Sequence, residues 1–500
     1  STTIYGNITA LDESPLKAGL LYVGTDDGLI QVSEDGGNNW RKEGSFKDVP
    51  ERTYVNQIIA SQHDEDVAYA VFNNHKNGDF KPYVYKTTNG GKSWKPINGN
   101  LPERGTVYTI AEDHVNKDIL FVGTEFGCFV TLDGGTHWVQ LSGGLPTIAI
   151  KDIAIQRREN DLVLASFGRG FYILDDYSFL REATPKVLRQ EVHLFSADTA
   201  LMYIEKNPLG LSGVGSQGAS HYAAENPPVG AVFTFHLKEV PKSMRDQRRE
   251  EEAEDAKKGL DNKYPDLDEL RAEDLEDEPY LLFVVTDEND RPIKKMRQSP
   301  KKGINRFVWN FRTATTTPIK LNQEQPGRYG MADDGYMVIP GTYKAKVYVS
   351  ENGEFRQITD PVEFVVEPLN HQTLPAEDKE AMVQFMSKVS QLRRRVRGAS
   401  NLHGETSERL QHVKKAVELY PTVPLEFNTK VRELELALDS LQRSMWGDPT
   451  LSSREFETKD GLASRIEFIV WSAWNSFSAP TTTSKRNLEI AKEEFEPRII

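Results

Sequence analysis

The sequence predicts a mainly β chain in three parts: blades of a partial β-propeller, then a β-sandwich, then a C-terminal α-helical bundle. Three observations predict it. A turn motif ending in Trp recurs three times before residue 140. Alternating apolar runs set off by Gly- and Pro-containing turns continue to Val366. Beyond Leu374 the apolar residues change to helical steps of three and four. At 500 residues the chain is also too long for one ordinary core.

The blades rest on the repeat. Its copies place Ser33, Asp35, Gly37 and Trp40, then Thr87, Asn89, Gly91 and Trp94, then Thr131, Asp133, Gly135 and Trp138 in one pattern, Ser/Thr-x-Asp/Asn-Gly-Gly-x-x-Trp. The flanks repeat as well. Leu21 to Thr25 precedes the first copy and Leu120 to Thr124 the third. Each unit opens on a strand-like stretch, at Ile8, Val55, Val107 and Ile150. The fourth unit runs through Leu162–Ser166 and Gly170–Leu174 and ends at Asp175-Asp176 without the motif. Short strands and turns at such a period are the signature of propeller blades. Asp-Gly and Asn-Gly favour tight turns between antiparallel strands. The Asp, Asn, Ser and Thr oxygens can satisfy turn amides, and the Trp supplies a large apolar body.

The motif resembles the Asp box of BNR-repeat propellers, a group with sialidases, xyloglucan-active glycosidases and sortilin-type propellers. The resemblance implies a fold-holding role for Asp35, Asn89 and Asp133 at the blade periphery, not a catalytic one. It also implies more blades than four. The missing ones are expected upstream, on a segment outside this chain or on a separate chain, and the N-terminal edge is expected to be open or covered by a partner, because a bare sheet edge is a pairing liability.

The middle part begins near residue 191. Val192–Phe195 reads as a strand, followed by a Gly- and Ser-rich stretch in which Gly213–Gly218 spells GxGxxG. A dinucleotide fingerprint must join a strand to a helix, and the His221–Pro228 sequence after it does not open one. A loop is expected. Strands follow at 230–237, 280–285, 304–309, 341–349 and 362–366, interrupted by a charged insert at 242–278. The alternation predicts an immunoglobulin- or fibronectin-like sandwich over 191–368, and the insert a solvated helical excursion or a partly disordered arm. The order of propeller, Asn226–Ala231 strand, insert and Asn305–Trp309 strand is similar to large exported bacterial proteins of sortilin-like, BNR-repeat type. That resemblance implies a secreted, periplasmic or cell-surface location. It brings an enzyme label only by fold analogy.

Residues 369–500 are predicted helical. Met382, Phe385, Met386, Val389, Leu392 and Val396 form one stripe; Val431, Leu434, Leu438, Leu441 and Met445 a second; Leu462, Ile466, Ile469, Ala473 and Phe477 a third. Thr458 or Asp460 is the expected cap of the third helix, with Pro480 as its stop. A further helix over 482–496 closes the bundle.

Bulk properties narrow the function. The net charge of −14 and the lack of a basic stripe argue against nucleic acid. Arg393, Arg394, Arg395 and Arg397 read as a solvated helix face. No apolar run approaches the roughly 18 residues of a membrane-spanning helix. The single cysteine, Cys128, excludes an intrachain disulfide and reads as a buried strand residue. No cofactor or metal motif is present. Candidates for chemistry are few. Asp26 and Glu125 sit at equivalent places in two blades, and a glycosidase needs two carboxylates facing across a cleft. Arg169 is the best lone cation for a substrate carboxylate. The expectation is a non-catalytic binding or scaffold protein with a protein, peptide or glycan partner. A BNR-type glycoside hydrolase is the alternative, and a structural subunit of a cell-surface complex the third.

Overall fold

The computed structural model describes residues 6–205, 224–261, 264–319, 335–351, 353–371 and 374–496. It divides into two compact units, Ser1–Gln190 and Glu191–Ile500. The Gly213–Gly218 motif lies outside the described residues.

The first unit is a row of four antiparallel sheets. The first holds β1 (Ile8–Glu13), β2 (Leu21–Thr25), β3 (Ile30–Ser33) and β4 (Arg41–Glu43); the second β5 (Tyr54–Ala60), β6 (Val67–Asn73), β7 (Tyr83–Thr88) and β8 (Lys95–Pro96). The third holds β9 (Val107–Glu112), β10 (Leu120–Thr124), β11 (Gly127–Thr131) and β12 (Trp138–Leu141), and the fourth β13 (Ile150–Gln156), β14 (Asp161–Ser166) and β15 (Phe171–Leu174). Every sheet is a meander from its first strand outward, and the first strands pack in succession, β1 on β5, β5 on β9, β9 on β13. This is the blade arrangement of a β-propeller. Apolar residues from facing sheets fill three separate inter-blade cores. Cys128 is buried in the third of them.

A bulge recurs at one place in all four blades. The ladder between first and second strands skips Thr9, Asn56, Tyr108 and Lys151 in turn. A bulge bends the strand and re-aims a side chain. Four of them in register set four side chains along the same end of the first strands.

The second unit holds two sheets and a set of helices. One sheet pairs β16 (Val192–Leu194), β18 (Ala231–Leu237) and β21 (Gly303–Trp309). The other orders β17 (Ala200–Met202), β24 (Val362–Pro368), β22 (Gly341–Glu351), β19 (Tyr280–Asp287) and β20 (Pro292–Gln298), with β23 (Glu354–Gln357) beside β22. Phe233, Phe235, Phe283, Phe307, Trp309 and Phe364 fill the core between them. Between β18 and β19 the charged insert forms α1 (Met244–Lys257) and α2 (Leu267–Leu275), neither with a buried residue. Arg248 ties them, donating to Glu273 at 2.6 and 2.9 Å.

The helices are α3 (Lys379–Leu419), α4 (Glu426–Trp446), α5 (Pro449–Ser452), α6 (Leu462–Ala473) and α7 (Thr482–Phe495). The first and third predicted stripes, together with Leu488, Ala491 and Phe495, build one core. Phe477 instead packs against the core of the two sheets. Three expectations need correction. The α4 stripe is only half covered: Val431 and Met445 are buried, while Leu434 and Leu441 are exposed, because the partner helix α3 covers one row only. Gly461, not Thr458 or Asp460, occupies the N-cap of α6, with no side-chain cap. Arg393 does not face solvent. With Arg397 it grips Glu467, at 3.0 and 2.7 Å, and its guanidinium lies 5.0 Å from the Trp474 ring. An apolar stripe cannot reveal that a cation beside it will be drawn inward by a carboxylate 74 residues away.

Candidate functional site

The three motif turns share one bonding scheme. In the first, the Ser33 hydroxyl donates to Asp35 at 2.9 Å and accepts the Gly37 N–H at 2.8 Å, while Asp35 accepts the Asn39 N–H at 2.9 Å. Thr87, Asn89, Gly91 and Ser93 repeat it, as do Thr131, Asp133, Gly135 and His137. The side-chain oxygens at Asp35, Asn89 and Asp133 are thus engaged inside their own turns. Hydrogen bonds hold the Asp35 carboxyl below its usual range, with Asn39 the first contributor. For Asp133 burial pushes upward, but the His137, Thr131 and Thr136 donors outweigh it and bring the value to about 2.

The second and third turns also lock onto the blade before them. A Cβ on Gly91 would stand 2.8 Å from the Val32 side chain, and one on Gly135 2.7 Å from Ile97. Arg41 donates to the Gly91 carbonyl at 2.9 Å, and the Trp138 indole donates to the Ile97 carbonyl at 2.9 Å.

The bulge residues form a chain of contacts from blade to blade. Thr9 donates to the Val55 carbonyl at 2.7 Å and Asn56 to the Tyr108 carbonyl at 2.6 Å. Lys151 sets its ammonium over the Tyr108 ring and 5.5 Å from the Phe167 ring centroid. The Tyr108 hydroxyl donates to Glu125, and Lys151 lies 4.0 Å from the same carboxylate. Burial, then Glu125, raises the Tyr108 pKa, so at neutral pH the phenol stays protonated. Burial lowers that of Lys151, and Glu125 opposes the shift.

Asp26 and Glu125 hold matching places in their blades, and the structure adds a third residue there. The N–H groups of Asp26, Glu125 and Phe167 donate to the residue just before the first strand of their blades, Asn7, Thr106 and Ala149. In the fourth blade that place belongs to Phe167, not to Arg169, which is exposed two residues further along the loop. Asp26 accepts from the Gly6 and Asn7 N–H groups at 2.7 and 3.0 Å and from the Asn7 amide at 2.8 Å. These bonds, Asn7 first, lower its pKa. Blade two separates Asp26 from Glu125, and each carboxylate has its own donors. Nothing here brings the three candidates together as a catalytic pair with an assisting cation.

Sequence reasoning missed a second polar group at the opposite ends of the strands. Glu112 is buried and accepts from Ser61 at 2.9 Å, the Gln62 N–H at 2.7 Å and Tyr69 at 3.0 Å. Asp113 is fully buried. It accepts from Tyr177 at 2.6 Å and from Arg181 at 3.0 and 2.8 Å. Its neighbours are all internal donors, so it acts as a clamp between blade three and the segment after blade four. The only signal was the acidic pair itself, placed where a strand ends.

In the second unit, a cavity of about 410 Å³ is lined by Tyr203, Glu205, Asn310, Arg312 and Asn475. A more apolar one of about 300 Å³ lies among Leu402, His403, Leu438, Leu441 and Phe495. Among the described residues, no group of three His, Cys, Asp or Glu side chains is placed to hold a metal ion, and no helix is long and apolar enough to cross a membrane.

The first unit is therefore of the β-propeller class. Neither a family model nor a curated protein sequence matches the chain. Solved β-propeller proteins do resemble it. A GH74 enzyme of Niastella koreensis is 15% identical over 34% of this chain and 29% of its own, with a TM-score of 0.29. A peptide-bound YCF48 is 17% identical over 34% and 51%, TM-score 0.27. The Swd1 propeller domain of Myceliophteria thermophila is 15% identical over 33% and 51%, TM-score 0.26. The match spans about half or less of each neighbour's own length.

Proposed function

We propose that this chain is a non-catalytic binding or scaffold protein, exported or held at the cell surface, whose propeller rim takes a protein or peptide ligand. The observation that carries the reading is the Tyr108–Glu125–Lys151–Phe167 cluster. It joins a cation, a carboxylate and two aromatic rings at one rim, and Phe167 remains 72% exposed. Such mixed groups suit a polypeptide, which offers apolar and charged side chains together. The carboxylates of the same rim are held by their own donors rather than paired across a cleft. The three Trp-ended turns are assigned as Asp boxes of the BNR type, with sortilin-like propellers as the nearest functional analogy, and the two-sheet region as an immunoglobulin- or fibronectin-like domain.

Exposed Phe126 and Phe167 favour a second reading, glycan binding or glycan hydrolysis, since flat rings accept sugar faces. The test is a parallel peptide and glycan array on the purified chain, with Glu125→Ala and Lys151→Met beside it. Peptide binding that Lys151→Met weakens supports the proposal. Hydrolysis of a xyloglucan or sialoside that Glu125→Ala abolishes would overturn it.

A further inference from the structure

We infer that the apolar cavity of the helical region binds a free, straight-chain aliphatic carboxylic acid. The chain lies among α3, α4, α6 and α7, and the carboxylate meets Arg395. The cavity is a slot of about 300 Å³, and Leu438, Leu441, Met445, Leu462 and Phe495 supply most of its wall. Met445, Leu462 and Phe495 are buried and form its floor, whereas Leu402 is 64% and Leu441 40% exposed at its mouth.

The two polar side chains of the lining are already engaged with the helices. His403 donates from Nε2 to the Leu438 carbonyl at 3.0 Å, and the Thr406 hydroxyl donates to the Leu402 carbonyl at 2.7 Å. Apolar walls of this kind hold no ordered water and accept hydrocarbon. A polar guest would lose its hydrogen bonds there. At about 30 Å³ for a water-sized group, the space takes about ten methylenes.

The charge comes from the arginine run of α3. Arg393 and Arg397 hold Glu467, and Arg394 donates to the Thr315 carbonyl at 3.1 Å. Arg395 differs from all three. Among the described residues it has no carboxylate partner, and its guanidinium rests 5.1 Å from the centroid of the Phe495 ring. Phe495 is itself part of the slot wall.

Arg395, Ala399, Leu402 and Thr406 follow one another on α3 at steps of four, three and four. Such steps lie on one helix face, so the cation heads a row whose next three members line the slot. None of the described lining residues is acidic, and Glu494, beside Phe495, is bonded to Lys459. A cationic head group would find no partner here. A carboxylate would find the planar fork that matches it. One anionic end and an aliphatic body are thus what the site complements.

The test is calorimetric titration of the full 500-residue chain, freed of bound lipid, with decanoate, decanol and decylamine. Arg395→Met and Ala399→Phe are titrated beside it, with circular dichroism to confirm the fold. Decanoate is expected to bind at a single site, about tenfold more tightly than decanol, in keeping with one charge-assisted contact. Decylamine should bind more weakly than either. Arg395→Met should weaken decanoate about tenfold and leave decanol unchanged. Ala399→Phe fills the slot and should abolish both; if it fails to fold, Arg395→Met decides alone. Equal binding of the three probes overturns the inference, as does decanoate affinity untouched by Arg395→Met. A dimer that Leu441→Glu splits into monomers overturns it as well, because the slot would then be covered by a second copy of the chain.

Discussion

Lys151 holds its ammonium 3.2 Å from the centroid of the Tyr108 ring, one bulge residue resting on the bulge residue of the blade before. The contact joins blades three and four at the rim proposed to bind ligand. A cation over an aromatic face contributes about 0.5–1 kcal/mol at exposed sites. Lys151→Met keeps the stem and removes the charge. The expected outcome is a folded chain with a thermal midpoint within a few degrees of the parent, and peptide affinity about tenfold weaker. Calorimetric titration with an array-selected peptide, alongside circular dichroism, checks both. Unchanged affinity would place the ligand elsewhere.

Asp113 and Arg181 predict the largest stability loss. The carboxylate is fully buried and the guanidinium 18% exposed. Removing one partner of a buried pair strands the other, at a cost of about 3–5 kcal/mol. Arg181→Ala should lower the urea midpoint of the first unit accordingly. Asp113→Leu with Arg181→Met should recover much of the loss, since an apolar pair leaves no stranded charge. A double variant as unstable as the single one would show that the clamp acts through Tyr177 instead.

These two sites also show what a sequence conceals. The motif turns were legible because their chemistry is local: Ser33, Asp35 and Gly37 bond within five residues. The α3 and α6 stripes were legible because burial there follows the period, whereas Leu434 and Leu441 of the α4 stripe are exposed. The bulges at Thr9, Asn56, Tyr108 and Lys151 were not, since a skipped ladder position leaves no residue type behind. The Asp113–Arg181 pair spans 68 residues, and Arg393–Glu467 spans 74. Periodicity marks which side chains turn inward, but not which charges meet there. Of the site candidates, Asp26 and Glu125 follow from repeat position, while the fourth-blade member, Phe167, carries no charge that would have marked it.

The second and third motif turns should respond differently to acid. Asp133 falls from the ordinary 3.8 to about 2 in the folded chain. A carboxyl whose folded value is depressed gives stability that is full above its ordinary value and is lost as pH falls through the folded one. The Asp133 turn should therefore loosen between about pH 4 and pH 2, whereas Asn89, an amide in the same scheme, cannot titrate. Hydrogen exchange at the His137 and Ser93 amides, which the two side chains hold at 2.9 Å, reads this directly. The expected result is faster opening at His137 below pH 4, relative to the intrinsic rate, and none at Ser93. Parallel behaviour of the two would assign acid sensitivity to the blade as a whole.

The three motif tryptophans give a graded series. Trp138 is 3% exposed and bonded to Ile97; Trp94 is 8% exposed; Trp40 is 43% exposed. Replacing a buried Trp with Ala costs about 3–5 kcal/mol through lost transfer energy and an unfilled cavity. Trp138→Ala should approach that range, with Trp94→Ala next. Trp40→Ala should cost about 1–2 kcal/mol in this chain, as only part of its apolar surface is lost from contact. Denaturant titration of the three variants establishes the order.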